Sequence, residues 1–147
     1  MRTGLRVARK LLDHQDMSVD DVEQAITTAA ASKCDADYKS FFATACGVEF
    51  FFSVRESNGR MIVPLRDVGQ GLRAIVFYTY KEKASRLGKC AGIEWTRGLE
   101  MVLRMPEADG LVVENSAADW IAMNRGGIGR LLEDISSAEI AGKVTRA

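Results

Sequence analysis

Glycines at 126, 127 and 129, inside the stretch "NRGGIGRLLED", form the part of this chain that looks most like a place for chemistry. Backbone N–H groups at a glycine-rich helix start can cradle a phosphate. A phosphate-binding loop, however, follows its last glycine with Lys and then Ser or Thr, and the dinucleotide fingerprint requires G-x-G-x-x-G. Here Arg130 and Leu131 follow Gly129, and neither pattern is met. The plainer expectation is a helix start. Asn124 is a good N-cap, because its side-chain oxygen can accept from a first-turn N–H. Ile128, Leu131, Leu132 and Ile135 then fall at i, i+3, i+4 and i+7. Glycine in that first turn is expected to let it pack close against neighbouring backbone.

The other reactive residue types do not converge. His14 is the one histidine, so a histidine pair for a metal is excluded, and any Ser-His-Asp or Cys-His set would have to recruit it. Asp20/Asp21 and Glu133/Asp134 are adjacent on expected helices, where successive side chains diverge by about 100°. Cys34, Cys46 and Cys90 are odd in number and lack C-x-x-C spacing; they are expected to be reduced, mostly buried thiols, with a reactive Cys34 on the surface as the competing reading. The expectation is no catalytic residue, no metal ligand and no cofactor, hence not an enzyme.

Composition points the same way. The 147 residues carry 20 Lys+Arg and 20 Asp+Glu, a formal net charge of zero that argues against a general nucleic-acid partner. Hydrophobic residues are 47% and charged residues 27%, and this length suits one domain over 1–147. No apolar run reaches the roughly 18 residues of a membrane-spanning helix, and "MRTGLRVARKLLDHQD" lacks the apolar segment of a secretory leader. A cytoplasmic protein with no membrane insertion is expected. Residues 1–17 suggest a helical extension, with Arg2, Arg6, Arg9 and Lys10 set against Leu5, Ala8, Leu11 and Leu12.

The elements that would position any site alternate in period. Ser18 with Asp21 suggests a capping box, followed by Val19, Val22, Ile26 and Ala29 at helical spacing. A second helix after Asp35 turns Tyr38, Phe41, Phe42 and Ala45 inward. "VEFFFSV" from Val48 reads as a strand, and Asn58-Gly59 signals a two-residue hairpin turn into "RMIVPL", which Pro64 must end or confine to an edge. Gly69 and Gly71 turn into "LRAIVFYTY", the most apolar and therefore central strand. "KEKASRLG" is a short helix, "IEW" a short strand, and Thr96 an expected cap for a helix that Pro106 ends. Asp109-Gly110 turns into "LVVE". "DWIAM" alternates like a strand, with a helix from Ala117 as the competing reading. The expected fold is α+β: a mixed, partly antiparallel sheet with a hairpin at Asn58-Gly59 and helices packed on it.

Three phrases, in order, resemble the N-terminal domain of the SseB family of small bacterial α+β proteins. Val22-Glu23-Gln24-Ala25-Ile26 is similar to its opening helix. Val76 through Glu82 stands where the family has a phrase like "VFTSEE", with Tyr80 replacing a small residue. Gly110 through Ser116 is similar to "GLVLNPGS", with Glu114-Asn115 replacing Asn-Pro. The resemblance spans residues 19–135, and the family's second domain has no counterpart. It implies binding or accessory roles and supplies no catalytic residue to carry over.

The functional expectation is a non-catalytic module that binds another protein, in its sharpest form a bacterial immunity protein that neutralises a cognate toxin. The alternative is an SseB-like accessory subunit of a cytosolic enzyme such as a sulfurtransferase. A small-ligand or enzymatic module using the Gly126–Gly129 turn comes third. Two zones offer contact residues. One is the turn-rich region with Glu114, Asp119, Trp120, Asn124 and Arg125, in which Trp120 could instead face the core. The other is the hairpin tip, with Arg55, Glu56, Asn58 and Arg60.

Overall fold

The structure is a computed structural model that describes residues 14–86 and 88–146. The basic helical extension expected over 1–17 falls outside these residues, apart from its last four, which belong to the first helix. In chain order the elements are α1 (His14–Ser32), α2 (Asp35–Ala45), β1 (Glu49–Ser57), β2 (Arg60–Ile62), β3 (Leu65–Asp67), β4 (Arg73–Tyr78), α3 (Lys81–Ser85), β5 (Lys89–Glu94), α4 (Trp95–Arg104), β6 (Gly110–Glu114), β7 (Trp120–Asn124) and α5 (Arg125–Arg146). They form an α+β fold around a mixed seven-stranded sheet.

The strands run β5-β1-β4-β6-β7, with β4–β6 parallel and the other pairs antiparallel. β1 and β4 pair only at Phe51↔Tyr78. Where they diverge, residues 60–67 fill the gap: β2 pairs with the far end of β1, and β3 with the start of β4. Pro64 falls between β2 and β3, where no ladder N–H is needed. At the hairpin tip Asn58 and Gly59 both have positive φ, 53° and 77°, the type I′ geometry that matches strand twist.

Period-2 alternation assigns the two faces. Phe50, Phe52, Ile75, Phe77, Leu111, Val113, Ile121 and Met123 point to one side, where α1, α2, α4 and α5 cover them. Val22, Ile26, Phe41, Trp95, Leu99 and Ile128 complete this core, each fully buried. Trp95 meets Phe41 edge-to-face with ring centroids 5.4 Å apart. The other face is thinner: Ala74, Val76, Tyr78 and Val112 lie against Ala84 of α3.

Several sequence expectations change. Ser18 lies inside α1, which begins at His14, so it does not cap it. The cap of α4 is Glu94, whose carboxylate accepts from the Arg97 N–H at 3.1 Å, and not Thr96. A carboxylate at a helix N-terminus also meets the favourable end of the dipole. Cys34 and Cys46 are exposed and Cys90 partly so, rather than mostly buried. Leu131 packs on the core but is only partly buried.

Candidate functional site

The β6–β7 connection is built from side-chain hydrogen bonds, local ones at Asn115 and long-range ones to α1. Ala118 sits in the left-handed region at φ 67°, and the Ala118 N–H donates to Asn115 O at 3.1 Å. Asn115, 1% exposed, holds the loop together. Its Oδ1 accepts from the N–H groups of Ala117 and Asp119, while its Nδ2 donates to Glu23 O and Thr27 Oγ1 on α1. Glu23 accepts from the Thr79 hydroxyl and from both the N–H and hydroxyl of Ser116. Thr27 Oγ1 donates to Asp119 Oδ2 at 2.8 Å. This loop is fastened to α1 from end to end.

Glu114, expected as an exposed contact residue, is turned inward and is 9% exposed. Arg66 Nη1 donates to it at 2.7 Å and Lys83 Nζ at 3.0 Å, and Lys83 also donates to Asn115 O. Burial alone would raise the carboxyl's pKa. The hydrogen bonds and charges of Arg66 and Lys83 outweigh it and hold the group below the usual glutamate range. Glu114 is therefore a fixed anion joining β3, α3 and β6, ill-suited to donate a proton near neutral pH.

Arg125 likewise has an internal duty. Its guanidinium donates to Val102 O, Met105 O and Ala108 O at 3.1, 2.9 and 2.9 Å and to Leu103 O at 2.6 Å. It closes the end of α4, where carbonyls have no intrahelical partner. Asn124 is the N-cap the sequence indicated, with Oδ1 accepting from the Gly127 N–H at 2.7 Å. None of the three glycines packs close against neighbouring backbone. A methyl at Gly129 would meet nothing within 4 Å, and at Gly126 or Gly127 it would meet only the side chains of Asn124 and Arg130.

Trp120 remains as the exposed aromatic of this zone. It does not face the core and is 46% exposed. It stands at one end of β7, which alternates exposed and buried as a strand with one covered face. With Ala122 it borders an open groove of about 390 Å³ whose other wall is Ala30, Lys33 and Tyr38, from α1, α2 and their connection. At the opposite end of the molecule Arg55, Glu56, Asn58 and Arg60 are all exposed at the hairpin tip, and Glu56 lies 3.7 Å from Lys89. Asn124 and Arg125 lie at the far end of β7 from Glu114 and Trp120, and of these four Trp120 and Asn124, rather than Glu114 and Arg125, face solvent. Sequence reasoning missed Lys33 and Tyr38 because nothing local links residues 33–38 to residue 120.

Among the described residues no group of three His, Cys, Asp or Glu side chains is placed to hold a metal ion, and no helix is long and apolar enough to cross a membrane. No protein-family model, curated protein or solved structure matches the chain.

Proposed function

We propose that this chain is a non-catalytic protein-binding module, and that its role is to bind and neutralise a cognate toxin as a bacterial immunity protein. The observation that carries the binding reading is Trp120. A large aromatic, 46% exposed on a strand and beside an open groove, is the kind of anchor around which protein interfaces concentrate their binding energy. The loop before it is tied to α1 by Asn115 and Glu23, so the anchor is held in place before a partner arrives. A second reading, an accessory subunit of a cytosolic enzyme, draws on the SseB-like phrases at Val76–Glu82 and Gly110–Ser116, which lie on the parallel neighbours β4 and β6 and the turns after them.

The test is to express the products of the genes flanking this one, singly, in a heterologous host, with and without this chain. Growth arrest by one product, relieved by the wild-type chain and not by Trp120→Lys with Ala122→Lys, supports neutralisation. A non-toxic flanking enzyme that copurifies with the chain in a fixed ratio supports the second reading. No effect and no complex from any flanking product contradicts both.

A further inference from the structure

We infer that the outer edge of β7 is a strand-accepting site, and that its occupant is an extended, acidic segment of another polypeptide. The inference rests on the protein-binding reading above and specifies how it works.

The hydrogen-bond phase of β7 follows from two bonds. Asn115 N–H donates to Asp119 O at 2.9 Å, so 115 and 119 are a hydrogen-bonded antiparallel pair. Such pairs alternate along a ladder. With the register Glu114↔Trp120, Val113↔Ile121 and Val112↔Ala122, residues 121 and 123 spend their N–H and C=O groups on β6. Residues 120 and 122 must then point both of theirs away from it, and Asn124 its N–H alone, since the carbonyl of an N-cap residue accepts the first bond of its own helix. The Glu114 carbonyl confirms this phase, since it accepts from the Thr79 N–H on the β4 side at 3.3 Å. Among the described residues no strand pairs with that outer side of β7.

Exposed edges are usually guarded by lysine, proline, a bulge or a covering element. β7 reads Trp-Ile-Ala-Met-Asn, with none of those residues, and its register with β6 is unbroken. The groove beside it leaves space along the strand. At the exit of β7 the helix opens with Gly126, Gly127 and Gly129. Glycine is a poorer helix former than alanine, and packing within the chain accounts for neither Gly126 nor Gly129; only at Gly127 would a methyl be tight, 3.3 Å from Asn124 Oδ1. Their lack of side chains keeps the end of the strand clear for another backbone.

Charge selects the occupant. Lys33 lines the groove at the Trp120 end. Arg130 lies over the first turn of α5, its Nη1 3.7 Å from where a methyl on Gly126 would sit. Neither forms an ion pair among the described residues. Asp119 also lines the groove and keeps its charge, its Oδ2 accepting from the Thr27 hydroxyl, so the two cations outnumber one anion and leave the edge net positive. An incoming strand thus meets a cation at each end. A second copy of this chain fits poorly: two-fold pairing about Ala122 sets the Trp120 end of one β7 against the Asn124 end of the other, and so brings Lys33 toward Arg130. A segment with carboxylates at both ends and alternating apolar residues between them satisfies edge and charge together.

The probe is a displayed library of random 12-residue peptides selected on the immobilised chain, with enriched sequences then made synthetically. The expected winners carry acidic residues flanking an alternating apolar run. Bound, they should slow amide hydrogen exchange at Trp120, Ala122 and Asn124 at least tenfold and leave Ile121 and Met123, already bonded to β6, unchanged. Ala122→Pro removes an outward N–H and spares the ladder; it should weaken binding at least tenfold with circular dichroism intact. Should that variant misfold, Trp120→Lys with Ala122→Lys serves instead. Peptides that protect the hairpin tip overturn the edge proposal and leave the protein-binding reading standing. Peptides that bind equally well after Ala122→Pro, or that are basic, overturn it too. A wild-type dimer by sedimentation that Ala122→Pro dissociates gives the edge to a second copy and overturns it. If no peptide is enriched, both the edge proposal and its protein-binding premise fail.

Discussion

Arg125 Nη1 donates to Met105 O at 2.9 Å, tying the first residue of α5 to the last turn of α4. The bond is one of four that the guanidinium makes to backbone carbonyls of residues 102–108. Arginine's planar fork suits such a cluster, and a point charge does not. Arg125→Glu should therefore cost about 3 kcal/mol or more, since hydrogen bonds from charged donors contribute about 1.5–3 kcal/mol each and the new carboxylate would face carbonyl oxygens. Arg125→Lys should fall between it and wild type. Urea midpoints of the three proteins check this. An unchanged midpoint for Arg125→Glu would return the residue to the list of surface contacts.

Glu114 gives stability a pH dependence. Its folded pKa is depressed by Arg66 and Lys83 against the opposing effect of burial. A depressed carboxylate contributes fully above its unfolded value, about 4.3, and the contribution is lost as pH falls from there through the folded value. Wild type should be more stable than Glu114→Gln at pH 7, and the gap should narrow progressively below about pH 4.3. A gap that stays constant between pH 6 and 3 contradicts the ion cluster. Glu114→Lys would place three cations together and should destabilise more than Glu114→Gln.

Two glycines should respond oppositely to alanine. At Gly129 a methyl meets nothing, so the better helix former should raise stability by up to about 1 kcal/mol. At Gly110 a methyl runs into the carbonyl of Met123 on the neighbouring strand, so the β6–β7 ladder must shift, at a cost of about 1–3 kcal/mol or more. Thermal unfolding of both variants decides the matter. A destabilised Gly129→Ala would show that the glycine has an internal duty after all.

Ala118 carries a left-handed backbone at φ 67°. Only glycine, and to a lesser degree asparagine, visits that region without steric cost. Ala118→Gly should stabilise the loop by up to about 1 kcal/mol, the gain being partly offset by the entropy glycine loses on folding. Calorimetric unfolding of the variant is the check, and a lower midpoint than wild type counts against the loop geometry.

What the sequence conveyed and what it withheld divide along physical lines. Asn58-Gly59 and Asn124 were readable because one residue type satisfies one local backbone need, and both sit where expected. The helix over 35–45 was readable from period, and the central strand from its unbroken apolar run. Glu94 displaced Thr96 as a cap because two plausible acceptors stood two residues apart and only packing chose between them. Glu114, Asn115 and Arg125 look like surface residues in one dimension. Their long-range partners lie 17 to 92 residues away, so only the folded chain reveals them as internal. The groove at Trp120 joins residues 30–38 to 118–122 in the same non-local way.

The central claim is that partner binding runs through Trp120 and the free edge of β7. Its most direct test is titration calorimetry of the purified partner against three proteins: wild type, Trp120→Lys with Ala122→Lys, and Arg55→Glu with Arg60→Glu. Both variants alter exposed positions and should keep their circular dichroism. The account predicts that the β7 variant loses at least about thirtyfold in affinity, roughly 2 kcal/mol, as truncating an interface anchor does. The hairpin variant should bind within about threefold of wild type. Wild-type affinity in the β7 variant, with loss in the hairpin variant, would contradict the account and move the interface to the hairpin tip.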